Sequence, residues 1–261
     1  MRTRIVSALV LIALIALPLW RGGFLFAGLV FVATLLGTWE FLRMVLKTRY
    51  QHLLLPAAAA LLAFVSGAAQ GDLVVVALGL SVLVLGGLVL QLALDDSHDK
   101  IREWSTLVAA TLYLGWPSML LVLLRNREDG LWWVVLVVIA TTATDSGAYL
   151  TGRMFGRHLF SPRYSPKKTW EGVFGGVFTC IGAMLVYGTR VLALDWRLTI
   201  LIGVALSLAA VYGDLAESML KRRAGVKDSS HLIPGHGGVL DRVDSLIFVT
   251  TVAFFLTYWL G

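Results

Sequence analysis

Apolar residues run along this chain in long blocks, and polar residues gather in the short gaps between them. The blocks lie near positions 5–20, 24–42, 53–70, 72–94, 104–124, 131–151, 171–194, 198–220 and 243–260. All but the first reach the roughly 17–25 residues with which a helix crosses a bilayer. Within hydrocarbon every backbone polar group must be paired inside its own segment, which selects helices for such runs. The pattern therefore predicts an all-α, polytopic integral membrane protein of about nine transmembrane helices. Only Gln70, Gly71 and Asp72 separate the third block from the fourth, so a tight turn is expected there. The first block follows two arginines, as in a signal peptide. It lacks a small-x-small cleavage site before Trp20-Arg21 and reads as a retained span.

Charge orients these helices. With the N-terminus in the cytoplasm and spans alternating, the outer segments hold only Arg21, Arg125, Arg127, Arg190 and Arg197 of the 22 Lys and Arg residues. The other 17 fall inside, the bias that the positive-inside rule requires. The N-terminus is thus expected in the cytoplasm, and both polar loops, 152–170 and 221–242, face it. The chain reads as one membrane domain over 1–261. N-terminal spans occupy about 1–125, and catalytic spans with their cytoplasmic loops about 131–261.

Composition agrees. The chain is 58% hydrophobic and 15% charged, against about 25% charged in soluble domains. The net charge of +6 serves topology and anionic lipid. Nucleic acid is not an expected partner, because aromatic and basic residues do not interleave. Cys180 is alone, so no intrachain disulfide can form, and it reads as packing. His52, His98, His158 and His231 read as isolated loop residues. Glu40, near the end of the second span, reads as a snorkelling or paired group rather than a catalytic one.

Four constellations carry candidate chemistry. In GDLAESMLK, Asp214, Glu217, Ser218 and Lys221 recur three, four and seven apart and share one helical face. A carboxylate such as Asp214, inside apolar sequence, needs a cation or a metal. In HGGVLDRVD, Gly237 and Gly238 permit close backbone approach, and Asp241 and Asp244 lie three apart at the start of the last helix. One of these carboxylates is explained as a cap; two of them, beside His236 and Arg242, are not. With Asp214 they suit Mg²⁺, and Arg242 with Lys221 and Arg222 suits phosphate. In SPKKTWEG, Pro166 is expected to turn the chain so that Lys167, Lys168 and Thr169 precede a helix N-terminus. In TDSGAYLTG, Asp145, Tyr149 and Gly152 share a face within a span. Asp145 and Asp214 alone would also suit a transporter pathway.

The run Ser218-x-x-Lys221-Arg222, Lys227-Asp228, His236-Gly237-Gly238-x-x-Asp241-Arg242-x-Asp244 resembles the signature of phosphatidate cytidylyltransferases, also called CDP-diacylglycerol synthases. It covers 27 residues, 218–244, with matching spacing throughout; SPKKTWEG and the Asp145 segment also resemble pieces of this family. The resemblance implies transfer of the cytidylyl group of CTP to phosphatidic acid with release of pyrophosphate. It also implies a divalent cation, usually Mg²⁺, a homodimer, and an inner-membrane enzyme whose site faces the cytoplasm. On that basis Asp214, Asp241 and Asp244 are expected as metal ligands, with Asp228 next. Lys221, Arg222 and Lys227 are expected on substrate phosphates, as are Lys167 and Lys168. Arg242 is expected to support developing charge and His236 to position a phosphate or aid the leaving group. Ser218, Gly237, Gly238 and Asp145 are expected to line the substrate. The competing enzymatic reading, a CTP-using lipid-alcohol kinase, would need a general base that the signature does not require.

Overall fold

A computed structural model describes residues 13–94, 99–233 and 237–260. Among these, seven helices are long and apolar enough to cross a membrane. The chain divides into two compact units, residues 1–126 with 228–242, and residues 127–227 with 243–261. The described part of 228–242 thus belongs to the same unit as the N-terminal helices.

In the first unit, α1 covers residues 13–21 and α2 covers Gly23–Leu46. Arg125 closes the end of α1 by donating from Nε to Leu19 O and from its terminal nitrogen to Trp20 O, both at 2.8 Å. Such a bond satisfies carbonyls that a helix end leaves without partners. A short turn, Gln51–Leu53, leads into α3, Leu54–Gln70. The expected tight turn follows: Gly71 adopts φ +70°, and Asp72 caps α4 by accepting from Val74 N and Val75 N. α4 (Leu73–Ser81) and α5 (Gly87–Ala93) form one span joined by a wider, π-type turn at Val82–Gly86. Such a bulge loosens the regular ladder, and Trp104 Nε1 donates to Val84 O at 3.0 Å inside it. α6, Lys100–Arg125, packs on α2 and α3: Leu114 comes within 3.3 Å of where a Cβ on Gly37 would stand, and Leu61 within 2.7 Å of one on Gly115. The α4–α5 span leaves Leu73, Val74, Leu78, Leu85 and Val89 exposed, a surface suited to hydrocarbon.

The second unit holds α7 (Gly130–Phe155), α8 (Trp170–Arg190), α9 (Trp196–Arg223) and most of α10 (Leu240–Leu260). α7 and α8 meet along a seam of small residues. A Cβ on Gly176 would stand 2.8 Å from Thr144 O, and one on Gly172 2.9 Å from Ala148 O. Small residues let helix backbones approach in this way where lipid offers no hydrophobic drive.

Among the described residues one hairpin stands beside the helices, and the apolar pattern did not predict it. β1 (Leu159–Ser161) pairs antiparallel with β2 (Ser165–Thr169), Leu159 opposite Thr169 and Ser161 opposite Ser165. Pro166 therefore sits inside a strand, not at the expected turn, which falls at 162–164. A two-stranded hairpin has only edge strands, where a proline without an N–H is tolerated. Glu171 ties the hairpin to α8 by accepting from Arg157 N and His158 N at 3.1 and 3.2 Å, with His158 Nδ1 at 2.6 Å.

Candidate active site

The hairpin serves the site by carrying Lys167 and Lys168 on β2 against the C-terminal halves of α7 and α9. There a cavity of about 440 Å³ is lined by Asp145, Tyr149 and Arg153 from α7, both lysines, and Asp214 from α9. Three cations and two carboxylates thus line one space. The partner that Asp214 was expected to need is Lys168, whose Nζ lies 2.7 Å from Asp214 Oδ2. Lys168 Nζ also lies 3.5 Å from Val211 O, one turn earlier on the same helix. Thr169 starts α8 by accepting from Gly172 N at 3.2 Å.

The expected stripe on α9 is formed. Ser218 Oγ donates to Asp214 Oδ1 at 3.3 Å, and Lys221 pairs with fully buried Glu217. Ser218 thereby orients the carboxylate that Lys168 pairs, and the ammonium of Lys221 meets a carboxylate of its own helix. Asp244, on α10, lies within electrostatic reach of Asp214, Asp145 and Lys221. The second unit therefore gathers Asp145, Asp214, Asp244, Lys167, Lys168 and Lys221. Arg222 donates to Val226 O at 3.1 Å, and Lys227 is exposed.

The remaining signature residues belong to the first unit. Asp241 Oδ2 accepts from Gly238 N at 2.8 Å, Ser229 Oγ at 2.9 Å and Ser229 N at 3.0 Å. Gly237 takes φ +83° and pairs with Ile233 as an isolated bridge. A Cβ on Gly238 would fall on Ser229 Oγ and within 2.6 Å of Glu40 Oε1. Gly238 was expected to admit a ligand; its nearest visitors are this hydroxyl and this carboxylate. Asp228 and Arg242 are exposed. His236 lies outside the described residues.

Of the two readings of Glu40 the paired one holds: it is 0% exposed and accepts from Ser229, Ser230, Val239 and Leu240. Its signal in the sequence was a carboxylate close to the end of an apolar run, with Arg43 the nearest cation. His52 and His158 are not isolated, since His52 Nε2 lies 3.1 Å from Glu103 Oε2 and His158 is held by Glu171. Among the described residues, no group of three or more His, Cys, Asp or Glu is arranged to hold a metal.

The profile of the cytidylyltransferase family matches residues 2–260, so the chain belongs to that family. Among curated proteins it is 45% identical to a phosphatidate cytidylyltransferase of Haemophilus influenzae, over 52% of this chain and 48% of that protein. It is 39% identical to one from Brucella suis, over 59% of this chain and 56% of the relative. A third, from Thermotoga maritima, is 37% identical over 67% of each chain. The chain thus spans about half the length of the first two relatives it matches.

Proposed function

We propose that this protein transfers the cytidylyl group of CTP to phosphatidic acid, giving CDP-diacylglycerol and pyrophosphate. The observation that carries the proposal is the cavity of the second unit, where Lys167, Lys168 and Arg153 converge with Asp145 and Asp214. Anionic phosphates need such cations, and a hard cation needs such carboxylates. The names of the curated relatives support the same reading.

A lipid phosphate is ionised at neutral pH, so no protein nucleophile is required. One of its oxygens bonds to the α-phosphorus of CTP, the bond from that phosphorus to the β-phosphate bridge breaks, and pyrophosphate leaves. The protein's work is to bring two anions together and hold them in line. Lys167, Lys168 and Arg153 are assigned to neutralising that repulsion. Lys221, Arg222 and Lys227 are assigned to the triphosphate or the lipid phosphate, Arg242 to the charge of the departing pyrophosphate, and His236 to positioning a phosphate.

The donors of the second unit fit Mg²⁺. Asp214 and Asp244 are hard oxygen ligands within electrostatic reach of each other, and Mg²⁺ takes one or two carboxylates and fills its shell with water and phosphate oxygens. When bound, the cation supplies charge neutralisation on the phosphates. For Asp241 the resemblance implies a ligand role as well; the geometry of its own unit supports a part in shaping residues 229–241. Homodimerisation and an inner-membrane location, with the polar loops in the cytoplasm, belong to the same proposal.

The test is pyrophosphate release by the purified protein in mixed micelles, with CTP and phosphatidic acid, with and without Mg²⁺, beside Asp214→Asn. Release is expected to need both substrates and the metal and to fall to background in the variant. Turnover of a lipid alcohol with CDP as product, or no turnover by a folded protein, would overturn the proposal.

A further inference from the structure

Glu40 is fully buried on α2, yet its four hydrogen bonds among the described residues come from about two hundred positions away. Oε1 accepts from Ser230 Oγ at 2.6 Å and Val239 N at 3.0 Å. Oε2 accepts from Ser229 Oγ at 3.0 Å and Leu240 N at 2.8 Å. Each oxygen thus takes one hydroxyl and one backbone N–H. The two N–H groups stand at the start of α10, where a helix has donors without internal partners and where negative charge is favoured. Glu40 therefore caps α10 from another helix and binds both ends of the loop that precedes it.

The cap reaches Asp241 through one atom. Ser229 Oγ lies 3.0 Å from Glu40 Oε2 and 2.9 Å from Asp241 Oδ2. A hydroxyl has one proton and donates to one of them at a time. Ser229 N and Gly238 N also donate to Asp241, so the same loop that Glu40 grips fixes the direction of the Asp241 carboxylate. Gly238 has no room for a side chain because Ser229 Oγ and the Glu40 carboxylate close around it, while Asp241 closes in the same way on Gly237.

We propose that Glu40 is a positioning residue for the reaction: by clamping residues 229–240 it sets the orientation of Asp241 and of the first turn of α10. This rests on the cytidylyl-transfer reading. The geometry makes a sharp variant available. In Glu40→Gln the amide nitrogen must face one backbone N–H whichever way it is turned. A serine hydroxyl can rotate to accept from it, but a backbone N–H cannot. One donor of the first turn is then left without an acceptor, at almost unchanged volume.

The experiment compares the full-length wild type, Glu40→Gln and Glu103→Gln in detergent micelles. Glu103 is a second buried glutamate of the same unit, paired with His52 and remote in sequence from the signature. Three quantities are read: melting temperature, kcat and KM for CTP per folded molecule, and amide hydrogen exchange over residues 229–241. Supporting groups of this kind typically alter activity by about 10–100-fold. Glu40→Gln is expected to lower kcat by about that factor with little change in the KM for CTP, and to speed exchange over 229–241. Glu103→Gln is expected to lower the melting temperature and leave kcat and that exchange unchanged. Exchange over 229–241 equal to wild type in Glu40→Gln would overturn the clamp, and an unchanged kcat per folded molecule would overturn its positioning role. If the wild type itself releases no pyrophosphate, the reaction reading has failed, and the exchange data still decide whether Glu40 holds the segment.

Discussion

Replacing Lys168 by methionine removes the cation from the 2.7 Å pair with Asp214 and keeps most of the side-chain volume. The gross attraction at that distance, with an effective dielectric constant of about 20, is about 6 kcal/mol. Desolvation offsets most of it. The side chains of Lys168 and Asp214 remain 23% and 34% exposed, so solvent screens what is left. The net lies between that of an exposed pair and a buried one, about 1–2 kcal/mol of folding stability. Activity should fall further than stability, because Lys168 also faces the cavity. A charge-assisted hydrogen bond contributes about 1.5–3 kcal/mol, and about 1.4 kcal/mol is tenfold in rate. Lys168→Met is therefore expected to lower kcat/KM by roughly 10- to 150-fold, with Lys168→Arg recovering part of the loss. The assay is pyrophosphate release beside thermal melting in detergent. If the methionine variant melts within a degree or so of wild type and keeps kcat/KM within threefold, Lys168 neither pairs Asp214 nor holds a phosphate. A double variant with Asp214→Asn sharpens the point, since groups in contact give non-additive effects. Strict additivity in stability would refute the ion pair alone.

Chelation is expected to abolish turnover, with Mg²⁺ restoring it. CTP should raise the melting temperature only when the cation is present, which differential scanning of the detergent-solubilised protein reads directly. Gly147→Ala is expected to act on folding alone: its Cβ would overlap Thr179 and come within 2.8 Å of Gly175 O in the α7–α8 seam. Overpacking of this kind costs about 1–3 kcal/mol, seen as a lower melting temperature with kcat per folded molecule preserved. Gly238→Ala should instead lose activity at once, because its Cβ meets the Glu40 and Ser229 side chains; full activity there would mean that this loop opens before turnover.

The difference between what the sequence disclosed and what it concealed follows the range of each interaction. Apolar run length located helices such as Gly23–Leu46 and Gly130–Phe155, and Gly71-Asp72 marked its turn, because each of these signals is local. The Asp214, Ser218, Glu217 and Lys221 stripe was legible for the same reason, being a consequence of helical spacing within eight residues. The hairpin at 159–169 was hidden because strands of three and five residues, one containing Pro166, carry no periodicity long enough to register. Lys168 as the partner of Asp214, and Glu40 as the clamp of 229–240, depend on pairings 46 to 200 positions apart, for which one sequence holds no local trace. What it did hold was the need: carboxylates set in apolar sequence must be answered by something. Asp214 and Glu40 raised that same question. The sequence around Asp214 is rich in functional residues and attracted a catalytic reading, whereas TWEFL around Glu40 is not and attracted a bland one. The structure answers both with specific donors. An unexplained intramembrane carboxylate is therefore better treated as an unassigned end of a long-range contact than ranked by the chemistry of its neighbours.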